Sequence, residues 1–305
     1  MGPRRCSRSR NETEAAGKNR NCCHAAARYH KVMHDPLPVA LSIAGSDCSA
    51  GAGIQADLKT FQYFRVHGLT AVTCVVSETA NVVEAVHPVP VEILASQISL
   101  LLGSFPVAAV KTGMLFSAAH VRVTAEILRH RPAAALVVDP VMVASTGASL
   151  LEADAVAAYR KLLLPLARVI TPNLPEAEVL LGRSIPDESA LEAAAHELSE
   201  MFQTAILLKG GHLLGPECID LLVDRGEIHR FTAARIPVAG SHGTGCTLSA
   251  AITAALALGH SLPSAVDMAK NYLGEALRQS YKFENSRGVT LHALNQGTCF
   301  VAPFC

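Results

Sequence analysis

From Leu37 onward the chain alternates short runs that are apolar throughout with longer stretches whose apolar positions recur every three or four residues. The uninterrupted runs predict strands buried on both faces at 39–44, 70–76, 107–112, 134–138, 168–171 and 205–209. Between them, Ile54, Leu58, Phe61 and Phe64 repeat at helical spacing, as do Leu94, Ile98, Leu101 and Leu102, and helical patterns continue over 151–164, 189–202, 246–258 and 262–281. Strands separated by helices predict an α/β fold with a mainly parallel central sheet covered on both faces. The shorter pair 219–223 and 227–231, around Asp224-Arg225-Gly226, predicts an antiparallel hairpin at a sheet edge. Neither an internal repeat nor an interdomain linker is visible, so residues 37–285 form one domain and 286–305 a tail, with Cys299 and Cys305 incidental.

Composition supports this picture and narrows the partners. Of 305 residues, 50% are hydrophobic and 17% charged, enough for a large core. The net charge of zero hides an uneven distribution: residues 1–36 hold eight of the 26 basic residues against three acidic ones, leaving the remainder with 18 basic and 23 acidic residues. An acidic body argues against nucleic acid as its partner. The basic leader lacks periodicity and is read as a disordered, dispensable extension with Met33 as the functional start. Its Cys22-Cys23-His24 cluster has no second ligand pair to complete a metal site. No run approaches the roughly 20 apolar residues of a membrane span, and the N-terminus lacks the apolar core of a signal peptide. The nine cysteines are odd in number and unpaired in spacing. Together these features predict reduced thiols and a cytoplasmic location.

In a parallel sheet the residues just after each strand share one rim, where ligands bind. Here they are Gly45-Ser46-Asp47, Lys111-Thr112-Gly113-Met114, Asp139-Pro140, Thr171-Pro172-Asn173 and Lys209-Gly210-Gly211-His212. Asp139 and Glu176 are carboxylates at neighbouring strand ends, suited to Mg²⁺ beside a triphosphate, although Glu176 also suits a helix N-terminus. Lys209 can neutralise transferring phosphate charge, or be a surface lysine. Asp57 on the first helix either faces the rim to bind a hydroxyl or amine, or is an ordinary exposed carboxylate. Ser241-His242-Gly243-Thr244-Gly245-Cys246 joins a glycine turn to a helix start, whose free N–H groups attract an anion. The same sequence also serves as a plain structural cap. Cys246 lies where the helix field is expected to lower a thiol pKa and allow proton acceptance near neutrality. Gly51-Ala52-Gly53-Ile54-Gln55-Ala56 matches a dinucleotide fingerprint, but the acidic residue expected about 20 positions on is missing. The nearest, Glu78, is 27 residues from Gly51. An NAD-dependent oxidoreductase would rest on that match alone.

Six segments carry a resemblance over residues 37–281: 44–60, 111–115, 139–142, 170–177, 208–212 and 242–247. In one order they resemble the hydroxymethylpyrimidine and phosphomethylpyrimidine kinases of thiamine synthesis, within the ribokinase-like superfamily that includes pyridoxal kinases. The resemblance implies a ribokinase-like fold, and phosphorylation by ATP and Mg²⁺ of 4-amino-5-hydroxymethyl-2-methylpyrimidine and then of its monophosphate. It places Cys246 as the base, with Gly243 and Gly245 in the anion hole and Lys209 beside them. Substrate contacts transfer to Asp57, Met114 and Val141, and nucleotide-phosphate contacts to Asn173, Glu176, Lys209 and Thr244. Metal contacts transfer to Asp139 and Glu176, and a homodimer is implied. Pyridoxal or pyridoxine kinase is the nearest alternative. A non-catalytic binding protein of the same fold is a second, against which Asp139, Glu176, Lys209 and Cys246 all stand.

Two departures from the family pattern matter. Ala50 replaces a glycine in Ser49-Ala50-Gly51-Ala52-Gly53, which is harmless if residue 50 does not need positive φ. Glu78 stands where the family has the glutamine that reads the pyrimidine; an ionised carboxylate only accepts hydrogen bonds, whereas an amide also donates. Protonation of the ring nitrogen, of Glu78, or a different substrate would each reconcile this, and the first is the expectation.

Overall fold

A computed structural model describes residues 2, 37–131, 134–142, 153–211, 213, 215–237, 242–284, 286 and 288–297. Residues 3–36 of the leader, His212, Ser241, Cys299 and Cys305 therefore lie outside the described residues. Six parallel strands form the centre of the sheet: β1 (Val39–Asp47), β2 (His67–Thr79), β4 (Val107–Thr112), β5 (Ala135–Val138), β6 (Val169–Ile170) and β7 (Ala205–Lys209). Antiparallel strands close both edges, β3 (Val82–Pro88) beside β2, and β8 (Glu217–Asp224) with β9 (Glu227–Ala234) beside β7. The order is β3-β2-β1-β4-β5-β6-β7-β8-β9.

Eight helices cover this sheet among the described residues: α1 (Gly53–Tyr63), α2 (Val91–Ser104), α3 (Ala118–Arg129), α4 (Ala153–Ala158), α5 (Leu174–Leu181), α6 (Ser189–Phe202), α7 (Thr244–Ala257) and α8 (Leu262–Arg278). Strand residues alternate between the two faces, as the pleat requires. Leu136 and Val138 join the core under α2 to α6, while Val137 joins the core under α7 and α8. Helix α7 is buried at every position from Thr247 to Ala255, so its small residues let it sit close to the sheet, α1 and α8. None of the described helices is long and apolar enough to cross a membrane.

The structure departs from the sequence pattern in three places. β3 is mostly exposed, so its valines carry no core signature, and it is defined by pairing with β2. The helix expected to reach residue 164 ends as α4 at Ala158 and continues through a π turn (Tyr159–Leu163) and a 3₁₀ turn (Leu164–Leu166) containing Pro165, which cannot donate a helical hydrogen bond. The last helix stops at Arg278; Tyr281 instead opens β10 (Tyr281–Glu284), which pairs with β11 (Thr290–Ala293). Leu294 and Gln296 beyond it are buried, so ordered structure continues past the boundary expected at 285.

Candidate active site

The parallel strands bring their C-terminal ends to one rim, and α7 begins above it. Its N-cap, Gly243, has φ +80°, and a Cβ there would lie 1.9 Å from the Gly51 carbonyl oxygen. Glycine is thus required by both conformation and contact. The first turn leaves the Gly245 and Cys246 amides without an intrahelical acceptor, at the positive end of the helix dipole.

Facing this turn is a buried ion pair. Lys209 Nζ donates to Asp139 Oδ1 at 3.1 Å, Thr171 Oγ1 donates to the same oxygen at 3.2 Å, and Ser249 Oγ lies 3.2 Å from Oδ2. A Cβ on Gly245 would stand 3.5 Å from both Asp139 Oδ2 and Lys209 Nζ, so the helix start comes within van der Waals reach of the ion pair. Burial pushes the Asp139 carboxyl up, but Lys209 and Lys111 outweigh it and hold the group below its ordinary range.

Asn173 and Glu176 start α5 as a reciprocal capping box: Asn173 Oδ1 accepts from the Glu176 amide at 2.9 Å, and Glu176 Oε2 accepts from the Asn173 amide at 2.8 Å. The capping role of Glu176 therefore coexists with its place at the rim. Burial raises its carboxyl to about 7, with Lys209 opposing and Asp139 adding to the rise. Asp139 and Glu176 thus offer two buried carboxylates beside Lys209, a donor set that suits a hard divalent cation.

Asp57 is neither exposed nor open at the rim. It is fully buried, accepts from Lys111 Nζ at 2.7 and 2.8 Å, and takes the Ser42 hydroxyl at 2.5 Å. Burial works against the Lys111 charge, but Asp57, then Cys246 and Asp139, keep the ammonium well above its ordinary range. Sequence reasoning passed over Lys111 as a site residue. Its signal is a lysine at the end of an apolar strand, where burial demands a partner. That partner lies 54 residues away and carries no local mark.

Cys246 corrects the expected thiol chemistry. Burial raises it to about 11; Lys111 opposes, while Asp57 and Asp139 add to the rise. Loss of solvent and two nearby carboxylates thus outweigh Lys111 and the Gly53 amide, the reverse of the lowering expected at a helix start, and the group is a thiol at neutral pH.

The other wall centres on Asp47, whose carboxylate accepts from the amides of Ser49, Gly51 and Ala52 and from His242 Nε2 at 2.9 Å. Burial opposes these bonds, yet His242 and the amides keep Asp47 well below its usual range, while Asp47 raises His242. The Gly51 and Ala52 amides are therefore committed to Asp47, which removes the basis of the dinucleotide reading. Ligand atoms of Asp47, Glu78 and His242 lie within 4.8 Å of one another. With Asp47 already so occupied, the cluster is a fixed array of charges. Burial, and next Asp47, raise Glu78, with His242 opposing. The shift is toward the protonated form, in which a carboxyl both donates and accepts as glutamine does.

Met114 and Val141 reach the same rim: the Met114 carbonyl accepts from Thr73 Oγ1 at 2.7 Å, and the Val141 amide donates to the Asp139 carbonyl at 2.9 Å. Thr244 is the first residue of α7. Ala50 has φ +59°, so residue 50 does need positive φ and the alanine there carries strain.

The phosphomethylpyrimidine kinase family model matches residues 47–291. A hydroxymethylpyrimidine/phosphomethylpyrimidine kinase of Rhizobium meliloti is 45% identical over 251 residues, covering 82% of this chain and 94% of that protein. The thiamine biosynthesis bifunctional protein ThiED of Geobacter sulfurreducens is 41% identical over 259 residues, 85% of this chain, which spans 53% of that longer protein. Among solved structures, the pyridoxal kinase from Staphylococcus aureus in complex with AMP-PCP and pyridoxal superposes with a TM-score of 0.78 at 33% identity, over 86% of this chain and 94% of that one. Identity is thus higher to the pyrimidine kinases than to the pyridoxal kinase. On the family match and these identities, the chain belongs to the phosphomethylpyrimidine kinase family.

Proposed function

We propose that the chain transfers the γ-phosphoryl group of ATP to the hydroxymethyl group of 4-amino-5-hydroxymethyl-2-methylpyrimidine, and then phosphorylates the monophosphate. The observation that carries this reading is the convergence at Gly245 of the α7 amides and the Asp139–Lys209 pair, both partners of which lie 3.5 Å from where a Cβ would stand. A phosphoryl group there meets positive charge from both.

The substrate hydroxyl oxygen forms a bond to the γ-phosphorus as the bond to the ADP oxygen breaks, and the hydroxyl proton passes to Cys246 in its thiolate form. Lys209 and the first-turn amides of α7 take up charge on the transferring oxygens. Asn173, Glu176 and Thr244 face the nucleotide phosphates. Asp139 and Glu176 would hold Mg²⁺, which when bound neutralises phosphate charge. Asp57 acts through Lys111 by fixing an ammonium near Cys246, whereas Glu78, Met114 and Val141 contact the pyrimidine. A homodimer and a cytoplasmic setting belong to the same proposal.

The test is mass spectrometry of products after incubation with ATP, Mg²⁺ and equal amounts of the hydroxymethylpyrimidine and pyridoxine. Two successive phosphate additions to the pyrimidine are expected. Phosphorylation of pyridoxine alone would overturn the reading and make Glu78 the mark of a changed substrate.

A further inference from the structure

Two glycine turns build the site from opposite ends of the chain, one at 49–53 and one at 242–246. They meet where the Gly51 carbonyl oxygen presses against Gly243. The same oxygen accepts from Gln296 Nε2 at 3.0 Å, and Nε2 also donates to Thr247 Oγ1, in α7, at 3.1 Å. Gln296 is only 2% exposed, and its Oε1 has no hydrogen-bond partner among the described residues. The side chain is therefore used as a two-pronged donor.

Its own position is fixed from behind. Tyr272 in α8 donates its hydroxyl to the Gln296 carbonyl at 2.7 Å, and the Asn295 amide donates to the Ala276 carbonyl at 3.2 Å. Gln296 also lies five residues beyond the end of the family-model match at 291.

We infer that Gln296 is a positioning residue that bolts the Gly51 turn to the start of α7 and so sets the geometry of the phosphoryl-accepting turn. This rests on the kinase reading above. The consequence follows from what each turn touches. The Gly53 amide hydrogen-bonds the Cys246 sulfur. Movement of the 49–53 turn therefore shifts both the thiol and Gly243. Asp139, Asn173, Glu176 and Lys209 come from β5 to β7 and α5, and none of them bonds to Gln296. Loosening the bolt accordingly misplaces the start of α7, Thr244 included, and the acceptor hydroxyl relative to phosphorus, while the contacts from Asn173, Glu176 and Lys209 stay intact.

Gln296→Met keeps the bulk and removes both donors. The expected result is a fall in kcat of about ten- to hundredfold with a distinctly smaller rise in the KM for ATP, to which only Thr244 of the nucleotide contacts is exposed. Amide hydrogen exchange at Gly51–Gly53 and Gly243–Thr247 is expected to accelerate, in a protein whose melting transition remains cooperative. Tyr272→Phe, which frees the Gln296 backbone, is expected to move both readouts in the same direction by less, and it carries the test if Gln296→Met does not fold. Unchanged kcat and exchange in a folded variant would overturn the inference, as would a fall in kcat without faster exchange in the two turns. Should the wild-type protein phosphorylate neither alcohol, the kinase reading fails, and the exchange measurement alone decides whether Gln296 fixes the turns.

Discussion

Cys246, the proposed proton acceptor, has its thiol raised to about 11 and is almost wholly protonated at neutral pH. The sign of the consequence is direct: a base that must be ionised gains working fraction as pH rises toward its pKa, about tenfold per unit while the pH remains well below it. If the thiolate takes the hydroxyl proton, kcat should climb between pH 7 and 9 and flatten toward 11. Cys246→Ala should lose about 10²- to 10⁴-fold in kcat and the slope with it, leaving nucleotide affinity nearly intact. Steady-state pH profiles of both proteins check this. A flat wild-type profile over that range would assign Cys246 to orienting the hydroxyl instead.

At the scale of elements, the β1–α1 turn shows how much a sequence can hold without displaying it. Its glycines, and the helix after it, were legible from spacing, but the work of each polar residue was not. Gln55 accepts from the Asp47 amide and donates to Ser46, while Lys59 donates to the Ala50 carbonyl at 2.7 Å. Each bond depends on three-dimensional closure that local pattern does not encode. Ala50 illustrates the cost: at φ +59° an L-residue is held in the left-handed region by its neighbours, a strain of roughly 1–2 kcal/mol. Glycine removes that strain but adds freedom to the unfolded chain worth about 0.4–1 kcal/mol. Ala50→Gly is therefore expected to stabilise the protein by about 0.5–1 kcal/mol, seen as a higher urea midpoint at unchanged m-value. A lower midpoint would mean that the turn prefers the methyl group.

Across the whole molecule, the mainly parallel sheet and its cover of helices on both faces were readable because a doubly covered parallel sheet writes uninterrupted apolar runs, whereas the strand order was not. Contacts that close the molecule were not, since they join residues far apart in sequence. The Asp47–His242 pair is the clearest case, spanning 195 residues to tie the first strand to the turn before α7. Its effect on stability follows from linkage. His242 is raised above its ordinary 6.5, so its contribution is fully present below that value and is lost as pH rises through the folded-state pKa. Asp47 is depressed below 3.8, so its contribution is present above that value and lost only as strong acid protonates the folded form. Melting temperature should therefore fall as pH rises from about 6.5. Glu176, raised from 4.5 to about 7, acts in the same direction but earlier, its contribution being lost as pH rises through that interval, because the folded protein binds its proton more tightly than the unfolded chain. His242→Asn should consequently lower stability at pH 6, where the imidazolium is formed, and make the decline on the alkaline side shallower without abolishing it. Calorimetric melts of both proteins between pH 6 and 9 decide the matter: parallel declines would show that the pair contributes little to holding the two ends of the chain together.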